Sequence, residues 1–141
     1  MLVKNTKTLI LGGVRSGKSR LAERLAHETQ LSVIYIATAT IEDEEMRQRI
    51  VQHQTHRPDH WQVIEEPIKL ASVLQQYAAP SRCLLIDCLT LWLTNLLVQN
   101  NLEQFDQERQ ILLETLPSLT GRVILVSNET NLGITPLGEL S

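Results

Sequence analysis

The sequence predicts an α/β domain with a mostly parallel sheet and helices on both of its faces, and three observations predict it. Short apolar runs alternate with segments of helical period. The runs are near-continuous Ile, Leu and Val rather than strictly alternating, as expected of strands buried on both faces. Finally, Gly12, Ala37 to Ala39, Glu65, Asp87 and Asn128 all fall where the runs end. In a parallel sheet those ends share one rim, and ligands of open α/β sheets bind beyond it.

The first strand spans Thr8 to Leu11, and a glycine-rich turn leads into a helix from Lys18 to Glu28. A second strand, Val33 to Ala37, precedes a helix from Glu42 to Gln54. That helix opens on Glu42, Asp43, Glu44 and Glu45, which suit the positive end of its dipole, so the acidic run reads as capping and solvation rather than as a metal site. Gln62 to Glu65 is the third strand and Ile68 to Tyr77 the next helix. Cys83 to Asp87 forms the fourth strand. Helices from Leu91 to Gln99 and from Leu102 to Leu116 follow, and Val123 to Ser127 is the fifth strand.

With 141 residues, 43% hydrophobic and 21% charged, the chain has the size and composition of one globular domain running from 1 to 141. Its net charge of -3 argues against sequence-independent nucleic-acid binding, which needs a basic face, so no nucleic-acid partner is expected. There is no apolar run of signal-peptide length before Thr8, and no stretch approaches the roughly 20 apolar residues of a membrane span. The reading is a cytoplasmic protein. Its 2 cysteines, Cys83 and Cys88, sit in an apolar run and are expected to be reduced core residues.

Gly12-Gly13-Val14-Arg15-Ser16-Gly17-Lys18-Ser19 fits G-x-x-x-x-G-K-[ST] between a strand and a helix, the context that motif requires. Its glycines permit a backbone that turns N–H groups inward around phosphate oxygens, and the helix start adds partial positive charge. Lys18 is expected to reach the β and γ phosphates of a nucleoside triphosphate, and the Ser19 hydroxyl to bind Mg²⁺. The strand Cys83-Leu84-Leu85-Ile86-Asp87 ends in a carboxylate, the usual support for that metal in such proteins, so Asp87 joins Ser19 in the expected metal set. The fold class is accordingly a P-loop NTPase.

Residues Arg49 to Trp61 hold three of the chain's 4 histidines together with Arg49 and Arg57. His53, His56 and His60 have a superficial zinc spacing, but Pro58 breaks any single helix carrying all three and no cysteine lies near. His53 lies at the end of its predicted helix, one residue before Gln54 and four after Arg49, a cation that favours the neutral, nucleophilic imidazole. Attack on phosphorus and a plain interaction with the helix's last carbonyls both remain open on spacing alone.

Nearly the whole chain resembles one family. The residues that carry the resemblance are Gly12 to Arg20; Tyr35-Ile36-Ala37-Thr38-Ala39; Asp43-Glu44-Glu45-Met46 with Arg49-Ile50; and His53, Arg57-Pro58 and Trp61. Further on, Asp87-Cys88-Leu89-Thr90, Thr94-Asn95-Leu96-Leu97, Val126-Ser127-Asn128-Glu129, Gly133-Ile134 and Pro136 complete the set. They are similar to those of the bifunctional adenosylcobinamide kinase / adenosylcobinamide-phosphate guanylyltransferases of cobalamin biosynthesis.

The resemblance implies a RecA-like arrangement of the sheet and two activities. One phosphorylates the aminopropanol hydroxyl of adenosylcobinamide with ATP or GTP; the other transfers GMP from GTP to the resulting phosphate through a GMP-histidine intermediate, for which His53 is the matching position. It implies catalytic roles for His53 and Lys18, and nucleotide contacts from Gly12, Gly13, Val14, Arg15, Ser16, Gly17, Lys18, Ser19, Ala37, Thr38, Ala39, Gln54, Thr55, His56, Arg57, Glu65 and Asp87. Gln54, Thr55 and His56 match by position more than by residue type. Homotrimers are implied as well, and so are further elements beyond the segment matching Asn128 to Pro136, which makes this chain short at its C-terminus. Asn128 and Glu129 are candidates for substrate hydroxyl contacts. Trp61, Trp92 and Tyr35 are read as core residues in preference to a platform for the corrin ring. Two rivals stand beside the bifunctional reading: a kinase without guanylyl transfer, and an inactive nucleotide-binding module.

Overall fold

A computed structural model describes residues 6–12, 17–39 and 61–128, apart from the side chains of Ser19 and Asn128. Strand β1 (Lys7–Gly12) is followed by α1 (Lys18–Glu28), β2 (Ser32–Ala37) and β3 (Gln62–Glu65). Next come α2 (Leu70–Tyr77), β4 (Arg82–Asp87), α3 (Leu89–Val98) and α4 (Leu102–Thr115). A 3₁₀ turn (Leu116–Ser118) then leads to β5 (Arg122–Asn128). All five expected strands are present with ends shifted by a residue at most, while the expected helix from Glu42 to Gln54 lies outside the described residues.

The strands form one sheet in the order β1-β5-β4-β2-β3, and every neighbouring pair is parallel. Its register aligns Gly12 with Asn128 and Ala37 with both Asp87 and Glu65, so the residues that end the strands share one rim. Side chains alternate between two cores. Ile34, Ile36, Leu84, Ile86, Val123 and Leu125 pack beneath α2, α3 and α4, whereas Val33, Tyr35, Cys83, Leu85, Ile124 and Val126 pack against Ala22 and Ala26 of α1. Burial on both faces explains the continuous apolar runs. A fully buried Leu or Ile contributes roughly 1.5–3 kcal/mol, and in β4 Leu84, Leu85 and Ile86 follow one another at 1%, 1% and 0% exposure.

Helix boundaries shift where side chains intervene. The expected start at Ile68 moves to Leu70 because the Glu66 carboxylate accepts the N–H groups of Ile68 at 3.0 Å and Lys69 at 2.9 Å. Helix α3 begins at Leu89, two residues before the expected Leu91, because the chain turns into it directly from Cys88, whose carbonyl accepts the N–H of Trp92 at 3.2 Å. Asn101 caps α4 by accepting the Gln104 N–H at 3.1 Å. Its other end tightens to a 3₁₀ turn around Pro117, one residue short of the expected end at Leu116.

Gly121 turns the chain into β5 with φ +81°, and a Cβ there would sit 2.1 Å from the Ala79 carbonyl oxygen and 2.6 Å from that of Arg82. Two backbone oxygens cannot both retreat without breaking the Arg82 N–H bond to Ala79, 3.0 Å long. Gly121→Ala is therefore expected to destabilise the fold by about 3–5 kcal/mol, read as a lower urea midpoint.

Cys83 and Cys88 are buried and not joined in a disulfide, as the apolar context implied. Burial pushes the Cys83 thiol from 9.0 up to about 11, against the lowering influence of Arg122 and of a hydrogen bond with Thr29. The folded protein thus resists forming a thiolate that the unfolded chain forms readily. Stability is expected to be insensitive to this group below pH 9 and to fall between pH 9 and about 11. Cys83→Ala should flatten that alkaline decline, measured by denaturation across the same pH range.

Candidate nucleotide site

Strand β1 ends at Gly12 and α1 begins at Lys18, with Gly17 between them in the left-handed region at φ 77°, ψ 15°. A Cβ at Gly17 would meet nothing within 4 Å, so glycine is required there by the backbone angle and not by crowding. The Gly17 carbonyl accepts the Leu21 N–H at 3.1 Å, which starts the helix. No acidic residue lies in the first turn of α1 to compete with an anion for its positive end. Lys18 is only 8% exposed, because α1 packs over β4 and β5. Gly13, Val14, Arg15 and Ser16 lie outside the described residues.

The carboxylate that ends β4 stands on the same rim. Tyr35, two residues from the end of β2, donates its hydroxyl to Asp87 Oδ2 at 2.5 Å, and the Asp87–Cys88 peptide bond is cis. Burial raises the Cys88 thiol pKa, the Asp87 charge adds to that rise, and Lys18 draws it down. A carboxylate has room for about four hydrogen bonds or ligands, so the Tyr35 bond orients Asp87 without exhausting it. Together with a serine at position 19 this is an oxygen donor set of the kind Mg²⁺ prefers, and the residues fit that ion.

Beyond Ala37 the chain continues the contact with β4. Thr38, 0% exposed, donates its N–H to the Asp87 carbonyl at 3.1 Å and its hydroxyl to the Cys88 carbonyl at 2.8 Å, and the same hydroxyl oxygen accepts the Cys88 N–H at 3.0 Å. Asn95, on α3, donates from Nδ2 to the Thr38 carbonyl at 2.8 Å and to the Pro67 carbonyl at 3.1 Å. The neighbouring Glu66 N–H bonds the Ala37 carbonyl at 2.9 Å. Thr90, in the first turn of α3, pairs its hydroxyl with that of Ser127 at 3.1 Å and joins β5 to the rim.

The structure thus gathers Gly12, Gly17, Lys18, Ala37, Thr38, Ala39, Glu65 and Asp87 along one edge of the sheet, with the backbone of Ser19 on α1. Ala37 and Ala39 are buried and Glu65 is exposed. The Thr38 hydroxyl faces the Cys88 peptide. His53, Gln54, Thr55, His56, Arg57 and Glu129 lie outside the described residues, as does the side chain of Asn128. Trp92 and Trp61 are core residues at 2% and 6% exposure, and Trp92 donates its indole N–H to the Ile68 carbonyl at 2.7 Å. Tyr35 combines a core ring with a polar task at its tip.

Two residues of this rim were given no part in the site by the sequence reading, which used them for the resemblance and took Tyr35 as core. Asn95 is an amide within the apolar helix stretch Leu91–Val98, a signal that points to a buried polar contact. The position of Tyr35 two residues before a strand end gave a weaker sign, since a phenol there reaches the rim with its hydroxyl.

A sequence profile of the family described as cobinamide kinase / cobinamide phosphate guanyltransferase matches residues 8–141. Among similar proteins, the bifunctional adenosylcobalamin biosynthesis protein CobP of Pseudomonas aeruginosa is 61% identical over 135 residues, covering 96% of this chain and 78% of that protein. The bifunctional adenosylcobalamin biosynthesis protein CobU of Salmonella typhimurium is 38% identical over 146 residues, covering 94% and 80%. Among solved structures, the RadB recombinase matches with a TM-score of 0.55 and 16% identity, covering 93% of this chain and 66% of that one. That likeness shows the fold alone, and it agrees with a P-loop NTPase built on a parallel sheet. Among the described residues no helix is long and apolar enough to cross a membrane.

Proposed function

We propose a division of labour along this rim for a chain that belongs to the cobinamide kinase / cobinamide phosphate guanyltransferase family. In the kinase reaction the aminopropanol hydroxyl oxygen of adenosylcobinamide attacks the γ phosphorus of ATP or GTP. The bond to the β–γ bridging oxygen breaks, the diphosphate leaves and the hydroxyl proton is released. Lys18 offsets the charge that gathers between the β and γ phosphates, and the P-loop N–H groups orient them. Asp87 and Ser19 would hold Mg²⁺, which would supply further neutralisation of the triphosphate.

In the guanylyl reaction the neutral imidazole of His53 attacks the α phosphorus of GTP and expels pyrophosphate. The phosphate oxygen of adenosylcobinamide phosphate then displaces His53, giving adenosylcobinamide-GDP and freeing the histidine. Covalent transfer replaces one difficult displacement with two easier ones. Arg57 offsets charge on the α phosphate, and Gln54, Thr55, His56, Ala37, Ala39 and Glu65 line the nucleotide. The protein works in the cytoplasm as a homo-oligomer, a trimer in the reading by resemblance.

The observation that supports this proposal is that the start of α1 at Lys18 and the end of β4 at Asp87 lie on the same carboxyl rim of a parallel sheet, in a chain 61% identical to a bifunctional relative. The test supplies adenosylcobinamide with Mg²⁺ and either ATP or GTP and separates the corrinoid products. Both nucleotides are expected to give the phosphate, and GTP alone the GDP adduct with pyrophosphate released. Phosphate without adduct would leave a kinase only; bound nucleotide with neither product would leave a binding module.

A further inference from the structure

Asp87 is gripped on three sides by groups that the two reactions do not employ. Tyr35 holds Oδ2 of the side chain. Thr38 holds the main chain on both sides of it, taking the Asp87 carbonyl with its N–H and both polar groups of the Cys88 peptide backbone with its hydroxyl. Every polar group of Thr38 is used inside the protein, since its carbonyl accepts the Asn95 amide. Asn95 in turn uses the same nitrogen to hold the Pro67 carbonyl, so the ends of β2 and β4, the loop after β3 and helix α3 are bonded into one unit.

The parallel ladder between β2 and β4 stops at Ala37 and Asp87. Past that point β5 still flanks β4, with Asp87 opposite Val126, but on the β2 side Thr38, alone among the described residues, continues the contact and fixes the direction in which β4 leaves the sheet. Both donors of Thr38, its N–H and its hydroxyl, are used inside the protein, which leaves it no donor to offer a phosphate.

We infer that Thr38 and Asn95 are positioning residues for Asp87: with Tyr35 they fix where its carboxylate stands, and through it the metal-dependent part of nucleotide binding. This rests on the reading of Asp87 as a support for Mg²⁺. The anchors of the unit are β2, β4, the Pro67 loop and α3, whereas the phosphate cradle is built on β1 and α1. Damage to the brace should therefore spare the grip of the P-loop on the phosphates.

The test measures GTP affinity of the full chain by calorimetry, once with excess Mg²⁺ and once with EDTA, for wild type, Thr38→Val, Asn95→Leu, Tyr35→Phe and Thr38→Ser. The gain in affinity from Mg²⁺ should fall about 10- to 100-fold in Thr38→Val, Asn95→Leu and Tyr35→Phe, the cost usual for partners that orient a metal ligand. Affinity in EDTA should stay within about threefold, and Thr38→Ser, which keeps the hydroxyl, should resemble wild type. Tyr35→Phe removes one oxygen and keeps the buried ring, so it remains informative if another variant fails to fold. An undiminished Mg²⁺ gain in Tyr35→Phe and Thr38→Val would overturn the inference, as would equal losses with and without Mg²⁺. A wild type whose GTP affinity ignores Mg²⁺ would instead remove the underlying reading of Asp87.

Discussion

Lys18→Ala is expected to slow both reactions by at least about 100-fold, the loss typical of removing one donor aimed at developing charge. The lysine opens α1 at 8% exposure, within the electrostatic reach of the Asp87–Cys88 end of β4. On the proposed reading the Lys18 ammonium serves any triphosphate in the cradle, whichever phosphorus is attacked. Kinase and guanylyl transfer should therefore fall together, with GTP affinity falling as well. Because α1 is anchored by Ala22 and Ala26 at 1% and 0% exposure, the fold should survive the loss. Steady-state rates of both products, with a melting curve as control, check this. A loss confined to one reaction would mean that the two do not share the cradle.

His53→Ala is expected to divide them. Removing a covalent nucleophile costs more than removing a stabilising charge, so guanylyl transfer should drop by at least about a thousandfold. Phosphorylation of adenosylcobinamide uses no bond to His53 and should stay within about threefold of wild type. Chromatography of corrinoid products from one incubation reads both effects in the same sample. Parallel loss of both would make the histidine a general requirement of nucleotide binding, and no loss would place the α-phosphorus chemistry on another residue.

Much of the fold was legible because its strands are buried on both faces. Leu84, Leu85 and Ile86 face alternate cores, and a residue with protein on either side of its strand must be apolar wherever it points. The P-loop was legible because its demands are local: the left-handed turn at Gly17 falls within the motif itself. Helix starts were less so, since α2 is set by the carboxylate of Glu66 and not by periodicity. The brace around Asp87 escaped notice for a different reason. Tyr35 and Asp87 are 52 positions apart, Thr38 and Cys88 50, and Asn95 and Thr38 57, so the bonds exist only once β2 lies beside β4. Thr38 shows the consequence: nothing in the sequence around it reveals the hydrogen bonds that turn its hydroxyl toward the Cys88 peptide.

The account holds that one triphosphate cradle serves attack at two different phosphorus atoms, only one of which becomes attached to the protein. The most direct test incubates the chain with Mg²⁺ and GTP labelled at either the α or the γ phosphorus, then isolates the denatured protein. The α label should be retained in an acid-labile, base-stable bond that maps to residue 53 and is absent in His53→Ala, while the γ label is not retained. Retention of the γ label, or an α label that persists in His53→Ala, would contradict it.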